Sequence, residues 1–290
     1  MMIEESELII TAQGSIYHLD LRPDELADTV ITVGDPARVA QVSKYFDSVE
    51  VRKAHREFVS HTGYIGQKRI TVLSSGIGPD NIDIVLNELD ALANIDFGTR
   101  TLKPMHKALN IIRLGTSGSF QANVPVDSMV ASTHGIGMDN LLHYYKWEPN
   151  NEEAHILRDF QNHTRMDGHP IQPYIAEASI KLLRHLATDY IQGITVTAPG
   201  FYAPQGRKLR LPPAFPNLVD RFTAFRSGPH RITNCEMETS AIYGLGKLMG
   251  HHCLSINNII ANRINKTFSK DMAAATDKMI RHSLEIMETV

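Results

Sequence analysis

The sequence contains a recurring unit, in which a short apolar run ends in a turn and a helical pattern follows. The run "TVITVG" (29–34) precedes "PARVAQVSKYF", and "RITVLSSGIG" (69–78) precedes "NIDIVLNELDALANI". Short apolar runs bounded by glycine or proline are typical of buried strands, and the longer patterns are typical of helices. Their alternation predicts an α/β fold with a mixed or mostly parallel sheet.

The same alternation continues to the end of the chain. We predict a helix for "PYIAEASIKLLRHLA" (173–187), and an irregular insertion for the polar stretch 146–173. With 290 residues, 42% of them hydrophobic, and no internal repeat or linker, residues 1–290 are predicted to form a single domain. Further strands are predicted at "ALNIIRLGTSGS", "DSMVAST", "YIQGITVTAPG" and "CLSINNIIANR", and further helices at "ETSAIYGLGKLMG" and "DMAAATDKMIRHSLEIMETV".

Charge and composition exclude several functional classes. A net charge of -3 argues against nucleic acid or a membrane surface as the main partner. The acidic start "MMIEESELII" lacks the features of a signal peptide, and the two cysteines form no CxxC pattern, so a cytoplasmic location is expected. The fourteen histidines do not predict a metal centre, because His251 and His252 are adjacent and no HExxH motif occurs.

Three glycine-containing turns, "VGDPARV", "SSGIGPD" and "RLGTSGS", each follow a predicted strand. Ligands of open α/β sheets collect beyond the carboxyl ends of the strands, where glycine lets backbone N–H groups approach an anion. Arg113 is embedded in an apolar strand and must therefore meet a carboxylate, a carbonyl cluster or a bound anion. Together with Gly34, Arg38 and Thr116 it indicates an oxyanion site suited to phosphate. No GxGxxG or GxxxxGK[ST] motif supports a dinucleotide or P-loop nucleotide.

The stretch "GFYAPQGRKLR" (200–210) combines an aromatic ring, an amide and a guanidinium. The ring of Phe201 can stack, while Gln205 and Arg207 can each make paired hydrogen bonds. Together they could bind a small planar heterocycle. Taken alone, the pattern equally fits a loop that ends in an ordinary surface arginine.

These motifs resemble those of the nucleoside phosphorylase family, in its uridine phosphorylase branch. Seven landmarks follow the order of the family between residues 17 and 263. The resemblance implies a three-layer α/β/α fold around a mixed sheet that partly closes into a barrel. It also implies active sites shared between two subunits, and hence a homodimer or a hexamer built as a trimer of dimers. The landmarks are "YHLDLRPDELADTVITVGDPARV", "HREF", "SSGIG", "RLGTSG", "FYAPQGR", "EMETSAIYGL" and "IIANR".

The resemblance also implies a role for individual residues, with Arg113, Glu238 and Arg207 as the catalytic ones. Inorganic phosphate is a co-substrate and no organic cofactor is implied, although a potassium ion near Glu57 is compatible with the family. Because Glu236 and Glu238 are two residues apart, a helix would direct them apart, so only Glu238 is expected at the sugar. The resemblance implies that phosphate contacts Gly34, Arg38, Arg113, Thr116 and the neighbouring subunit's equivalent of Arg56. It implies that the ribose contacts Met237, Glu238 and the neighbour's equivalent of His18. It implies that the base contacts Phe201, Gln205, Arg207, Ile260 and Ala261.

The activity implied is phosphorolysis of uridine, or of another pyrimidine nucleoside, to the base and ribose 1-phosphate. Purine-cleaving relatives use an aspartate after the penultimate strand, whereas the matching segment "NNIIANR" carries no carboxylate. A purine nucleoside phosphorylase of the same fold and a non-catalytic nucleoside-binding or storage protein remain as alternatives. The link 96–110 is longer than its counterpart in the family.

Overall fold

The computed structural model of the chain describes residues 2–165 and 170–288. Its α-helices are α1 Pro36–Ser43, α2 Pro79–Asn94, α3 Asn151–Thr164, α4 Ile180–Leu186, α5 Leu218–Ala224, α6 Thr239–Leu248 and α7 Met272–Glu288. Its strands are β1 Thr29–Val33, β2 Ser48–His55, β3 Phe58–Ile65, β4 Lys68–Ser74, β5 Ile95–Asp96, β6 Thr101–Leu102, β7 Asn110–Ser119, β8 Met129–Gly137, β9 Tyr174–Glu177, β10 Ile191–Thr197, β11 Arg226–Ser227, β12 His230–Glu236, β13 His252–Asn262 and β14 Thr267–Phe268.

One mixed sheet organises the fold, with the strand order β11-β12-β10-β8-β13-β7-β1-β4-β3-β2. Strand β12 also pairs with β7, so the five strands β12, β10, β8, β13 and β7 close into a barrel. Strands β1 to β4 extend from β7 as an open sheet, β9, β11 and β14 pair with strands of the barrel, and β5 and β6 form a separate two-stranded sheet. The predicted mixed α/β fold with a partly closed sheet is therefore confirmed.

The central strand β1 shows why the local pattern predicted this fold. Its five residues are all buried, and it lies parallel between β4 and β7. A strand covered on both faces needs a continuous apolar run, which "TVITV" supplies. Helix α1 begins at once, because Pro36 suits a first helical turn and the Asp35 carboxylate accepts a hydrogen bond from the Ala37 N–H at 2.9 Å.

Two local predictions are wrong. The stretch 146–173 is not simply irregular, since it contains α3, which begins with a reciprocal capping box between Asn150 and Glu153; residues 166–169 lie outside the described part. The predicted helix 173–187 is instead β9 followed by α4. Pairing of β9 with β8 competes with the helical pattern there.

Apolar side chains form two main cores. One lies around the open part of the sheet and joins β1, β4 and β7 to α2, α6 and α7. The other is rich in phenylalanine and packs α3 and α5 against the barrel, with the Phe160 and Phe222 rings stacked at a centroid distance of 6.0 Å. Within the described ranges, no helix is both long and apolar enough to cross a membrane.

Candidate active site

A cavity of about 670 Å³ opens at the carboxyl ends of the strands. Turns that follow β1, β4 and β10 line it, together with parts of β7, β12 and β13. It brings together most of the residues that the sequence analysis selected. These are Gly34, Arg38, Glu57, Arg113, Thr116, Phe201, Gln205, Arg207, Met237, Glu238, Ile260 and Ala261.

Arg113 lies at the buried end of the cavity and is only 5% exposed. It projects from β7 on the same face as Gly115, and any side chain at Gly115 would overlap its guanidinium. Glycine at this position therefore lets the arginine lie along its own strand. On the neighbouring β13, Asn257 accepts a hydrogen bond from Arg113 Nη1 at 2.7 Å.

The other edge of the Arg113 guanidinium meets two carboxylates. Arg113 Nη2 lies 2.5 Å from Glu238 Oε2 and 3.2 Å from Glu236 Oε2. Burial alone would lower the pKa of Arg113, but the charges of Glu236 and Glu238 raise it above its ordinary value. Of the three kinds of partner expected for a buried arginine, carboxylates are therefore the ones that Arg113 contacts in this structure. A guanidinium has five N–H groups, so these contacts leave donors for a further acceptor.

Glu236 and Glu238 converge on Arg113, which corrects the expectation that they point apart. That expectation assumed a helix, whereas Glu236 ends β12 and Glu238 precedes the first residue of α6. The Glu236 carboxylate accepts hydrogen bonds from the backbone N–H groups of Glu238 and Thr239 at the start of α6. Glu238 accepts one from Gly78, in the turn after β4, at 2.9 Å. Glu236 thus anchors the helix, and Glu238 connects two turns across the cavity.

Arg38, in the first turn of α1, lines the same end of the cavity. Burial and the nearby positive charge of Arg113 lower its pKa. Its guanidinium makes no side-chain hydrogen bond to any residue that the structure describes, in contrast to Arg113. A half-buried cation without such a partner, beside a helix N-terminus and Thr116, favours binding of an anion.

The opposite end of the cavity is formed by the loop 200–207 between β10 and α5. Phe201 is 50% exposed, and the Arg207 guanidinium lies 3.7 Å from the centroid of its ring. Arg207 also donates to Gln205 Oε1 at 2.6 Å and to the Phe201 carbonyl at 2.7 Å. The three side chains that predicted a heterocycle site are therefore adjacent and interlocked, and burial and then Arg263 lower the pKa of Arg207.

His18 and Arg56 do not line the cavity of their own chain. His18 Nδ1 lies 2.6 Å from Glu88 Oε1 on α2. Arg56, in the turn between β2 and β3, lies over the ring of Tyr17 at 5.8 Å. Both residues belong to one partly exposed cluster that also includes His55, whose Nδ1 lies 3.1 Å from the His18 carbonyl.

Two residues at the site were missed from sequence: Arg263, which supports a lining loop, and Phe268, which lines the cavity. Arg263, which follows β13, donates to the carbonyls of Gln205 and Gly206 and so attaches the loop 200–207 to the barrel. Phe268 lies beside Ala261 because β14 pairs with β13. Phe268 has no local signal in the sequence, because it reaches the cavity through the pairing of β14 with β13. Arg263 does close the quoted landmark "IIANR", and that was the available clue.

Comparison with known proteins identifies the family. A sequence model of the phosphorylase superfamily matches residues 28–289. A uridine phosphorylase from Thermococcus kodakarensis is 27% identical over 264 residues, 90% of this chain and 82% of that protein. A DeoD-type purine nucleoside phosphorylase from Hahella chejuensis is 24% identical over 240 residues, covering 82% of this chain and 83% of that protein.

A solved structure resembles the chain more fully. It is a Trypanosoma brucei nucleoside phosphorylase described as showing uridine phosphorylase activity. The two chains share 32% sequence identity and superpose with a TM-score of 0.89, covering 98% of this chain and 100% of the other.

Proposed function

Because the chain belongs to the phosphorylase superfamily, we propose that it is a pentosyltransferase that cleaves uridine with inorganic phosphate, giving uracil and ribose 1-phosphate. The observation that carries the proposal is a single cavity with cations and paired carboxylates at one end and an aromatic, amide and guanidinium group at the other. The Thermococcus kodakarensis uridine phosphorylase and the Trypanosoma brucei enzyme with uridine phosphorylase activity support the same reaction, and at 27% and 32% identity both match this chain more closely than the purine enzyme at 24%.

Phosphate is proposed to bind between Arg38 and Arg113, with the Gly34 backbone and the Thr116 hydroxyl completing its contacts. The Arg38 guanidinium makes no side-chain hydrogen bond to residues 2–165 or 170–288, and Arg113 has N–H groups left after its contacts with Glu238 and Asn257. Two fixed cations would orient the phosphate as the nucleophile. The negatively charged phosphate between them would in turn stabilise the positive charge that develops on the sugar.

Glu238 is proposed to hold the ribose hydroxyls, with Met237 packed on the sugar. Each Glu238 oxygen already accepts one hydrogen bond, from Gly78 or Arg113, and a carboxylate has about four acceptor positions. Protein contacts therefore fix the carboxylate while leaving it able to accept from two hydroxyls. A ribose is favoured over a deoxyribose because only ribose offers the 2′-hydroxyl.

The base is proposed to contact Phe201, Gln205 and Arg207, with Ile260 and Ala261 as an apolar wall. Arg207 would donate to a uracil carbonyl oxygen, where negative charge accumulates as the base departs. Since Arg207 now lies on the ring of Phe201, a base that stacks on this face must displace it. The wall contains no carboxylate that could protonate a purine, which favours a one-ring base.

The active site is proposed to be completed by a second copy of the chain, within a homodimer or a hexamer. His18 and Arg56 lie together on a partly exposed cluster and outside their own cavity, as expected for groups that reach into a neighbour's site. A potassium ion near Glu57 is a further proposal, because the Glu57 side chain is exposed at the cavity and joins Asn81 in its lining.

The test is release of free base from uridine, thymidine, inosine and adenosine, measured with and without phosphate. We expect phosphate-dependent release of uracil from uridine as the fastest reaction. Inosine as the preferred substrate would replace the pyrimidine assignment with the purine one. Binding of nucleosides without any release would support the storage alternative, and phosphate-independent release would indicate a hydrolase.

A further inference from the structure

Away from the cavity, three side chains able to bind a metal converge from distant parts of the chain. They are Asp90 on α2, His106 on the link 96–110 and His251 in the turn between α6 and β13. One ligand atom from each lies within 4.8 Å of the other two. Local sequence patterns do not predict this cluster, because its three members are far apart in the chain and His251 lies beside His106 rather than acting with its neighbour His252.

His251 is the buried member of the cluster, and its side chain is 0% exposed. Its Nε2 has no hydrogen-bond partner among the described residues and lies 3.4 Å from Asp90 Oδ1. A well-formed N–H···O bond measures about 2.7–3.2 Å. Two ligands of a tetrahedral ion, each about 2.0–2.1 Å from the metal, are separated by nearly the observed distance. Asp90 is itself oriented by Asn94 Nδ2 at 2.7 Å.

His106 is oriented as a metal ligand would be. Its Nε2 donates to the Met249 carbonyl at 2.8 Å, which leaves the lone pair on Nδ1. Histidines that bind metals usually donate their second ring N–H to a carbonyl or carboxylate in this way. The ring stacks on His251 and lies against Gly250, where the Cβ of any other residue would come within 3.0 Å of it.

We propose that Asp90, His106 and His251 bind a divalent transition-metal ion such as Zn²⁺, with water completing its coordination. Two imidazole nitrogens and a carboxylate form a ligand set that suits this ion. None of the three residues lines the cavity, so the ion is structural. It attaches the link 96–110 to α2 and to the turn before β13.

Metal binding has a definite cost at His251. Nδ1 of this ring now accepts a hydrogen bond from the Leu109 N–H at 3.2 Å, so the ring proton is on Nε2. A neutral ring that binds the ion through Nε2 carries its proton on Nδ1 instead, and Leu109 then loses its acceptor. This competing hydrogen bond is long, and it limits the affinity of the site without blocking it.

The test uses the chelator-treated full chain, titrated with Zn²⁺ by calorimetry and melted with and without the ion. We expect one ion per chain and a higher unfolding midpoint. H106A removes an exposed ligand and D90N is isosteric, so both should fold. Each should weaken Zn²⁺ binding by at least about 100-fold, because loss of an outer partner alone costs about 10- to 100-fold.

The matched control is H185A, which removes an exposed histidine of α4 outside the cluster. It should bind Zn²⁺ as the wild type does. Wild-type protein that binds no Zn²⁺ would overturn the proposal, as would equal affinity in the wild type, H106A and D90N. The result is independent of uridine cleavage, since none of these variants touches the cavity.

Discussion

Arg113 and Arg207 line the same cavity but are supported in different ways. Arg113 projects from a central barrel strand, is 5% exposed, and pairs with Glu236, Glu238 and Asn257 from two other strands and a helix start. Arg207 lies on a short loop, and within the described part of the chain its side chain bonds to that loop alone, with its guanidinium on a half-exposed ring. The end proposed to bind phosphate and ribose is therefore part of the folded core, whereas the end proposed to bind the base is a loop attached to it.

We therefore expect substitutions in the ion pairs at the buried end to lower both stability and activity, and substitutions at the loop end to lower activity alone. At the buried end, a lost charge leaves its partners uncompensated in the protein interior. At the loop end, a lost side chain removes a substrate contact and little else.

Arg113→Ala should cause the largest loss. Removing this cation leaves Glu236 and Glu238 buried without it, so the free energy of unfolding should fall by about 3–5 kcal/mol. Phosphorolysis should fall by at least about 10³-fold, because both phosphate and Glu238 lose a fixed donor. Urea unfolding and steady-state kinetics measure the two effects. Adding Glu238→Gln should restore part of the stability by removing one unpaired charge, and no recovery would contradict the ion-pair explanation.

Arg38→Ala should impair activity without affecting the fold. Its guanidinium has no side-chain hydrogen bond to the described residues, so the free energy of unfolding should change by less than about 0.5 kcal/mol. The kcat/KM for phosphate should fall by about 10²–10³-fold. If R38A unfolds as easily as R113A, the proposed division between a substrate cation and a core cation is wrong.

Arg207→Ala should reduce kcat/KM for uridine by about 10²-fold while leaving phosphate affinity unchanged. The matched control is Arg210→Ala, an exposed arginine three residues further along that lies outside the cavity lining. Calorimetric titration with phosphate and initial rates with uridine give the two quantities. Equal losses in phosphate binding and uridine cleavage would remove Arg207 from the base-binding role.

Phe201→Ala should have the smallest effect. An aromatic stacking contact contributes about 0.5–1.5 kcal/mol, so uridine binding should weaken by roughly 2- to 13-fold. Half-exposed Phe201 contributes little to the core, and the unfolding free energy should stay within about 0.5 kcal/mol of wild type. Equilibrium binding of uridine in the absence of phosphate measures the effect, and unchanged affinity would argue that the base does not stack on this ring.

The same division explains what the sequence could predict. Strand β1 was recognisable because a strand buried on both faces has a continuous apolar run, and Arg113 stood out because it interrupts such a run. Strands β9 and β12 were not recognised, because their pairing with β8, β10 and β7 depends on residues far away in the chain. The single-domain organisation, the oligomer and the roles of the site residues stay predictions.

The two glutamates illustrate the limit most clearly. Their spacing suggested divergence only on the assumption that a helix already includes both. The helix begins at Thr239, and its N-terminal N–H groups hold the Glu236 carboxylate beside Arg113. A shift of a few residues in a helix boundary thus changes which side chains meet, and local patterns define such boundaries poorly.

The most direct test of the central claim is a crystal structure with phosphate and a uridine analogue that cannot be cleaved. We expect phosphate within hydrogen-bonding distance of both Arg38 and Arg113, Glu238 on the ribose hydroxyls, and Arg207 turned from the Phe201 ring onto the base. Phosphate bound elsewhere, with Arg113 contacting only Glu236, Glu238 and Asn257, would contradict it.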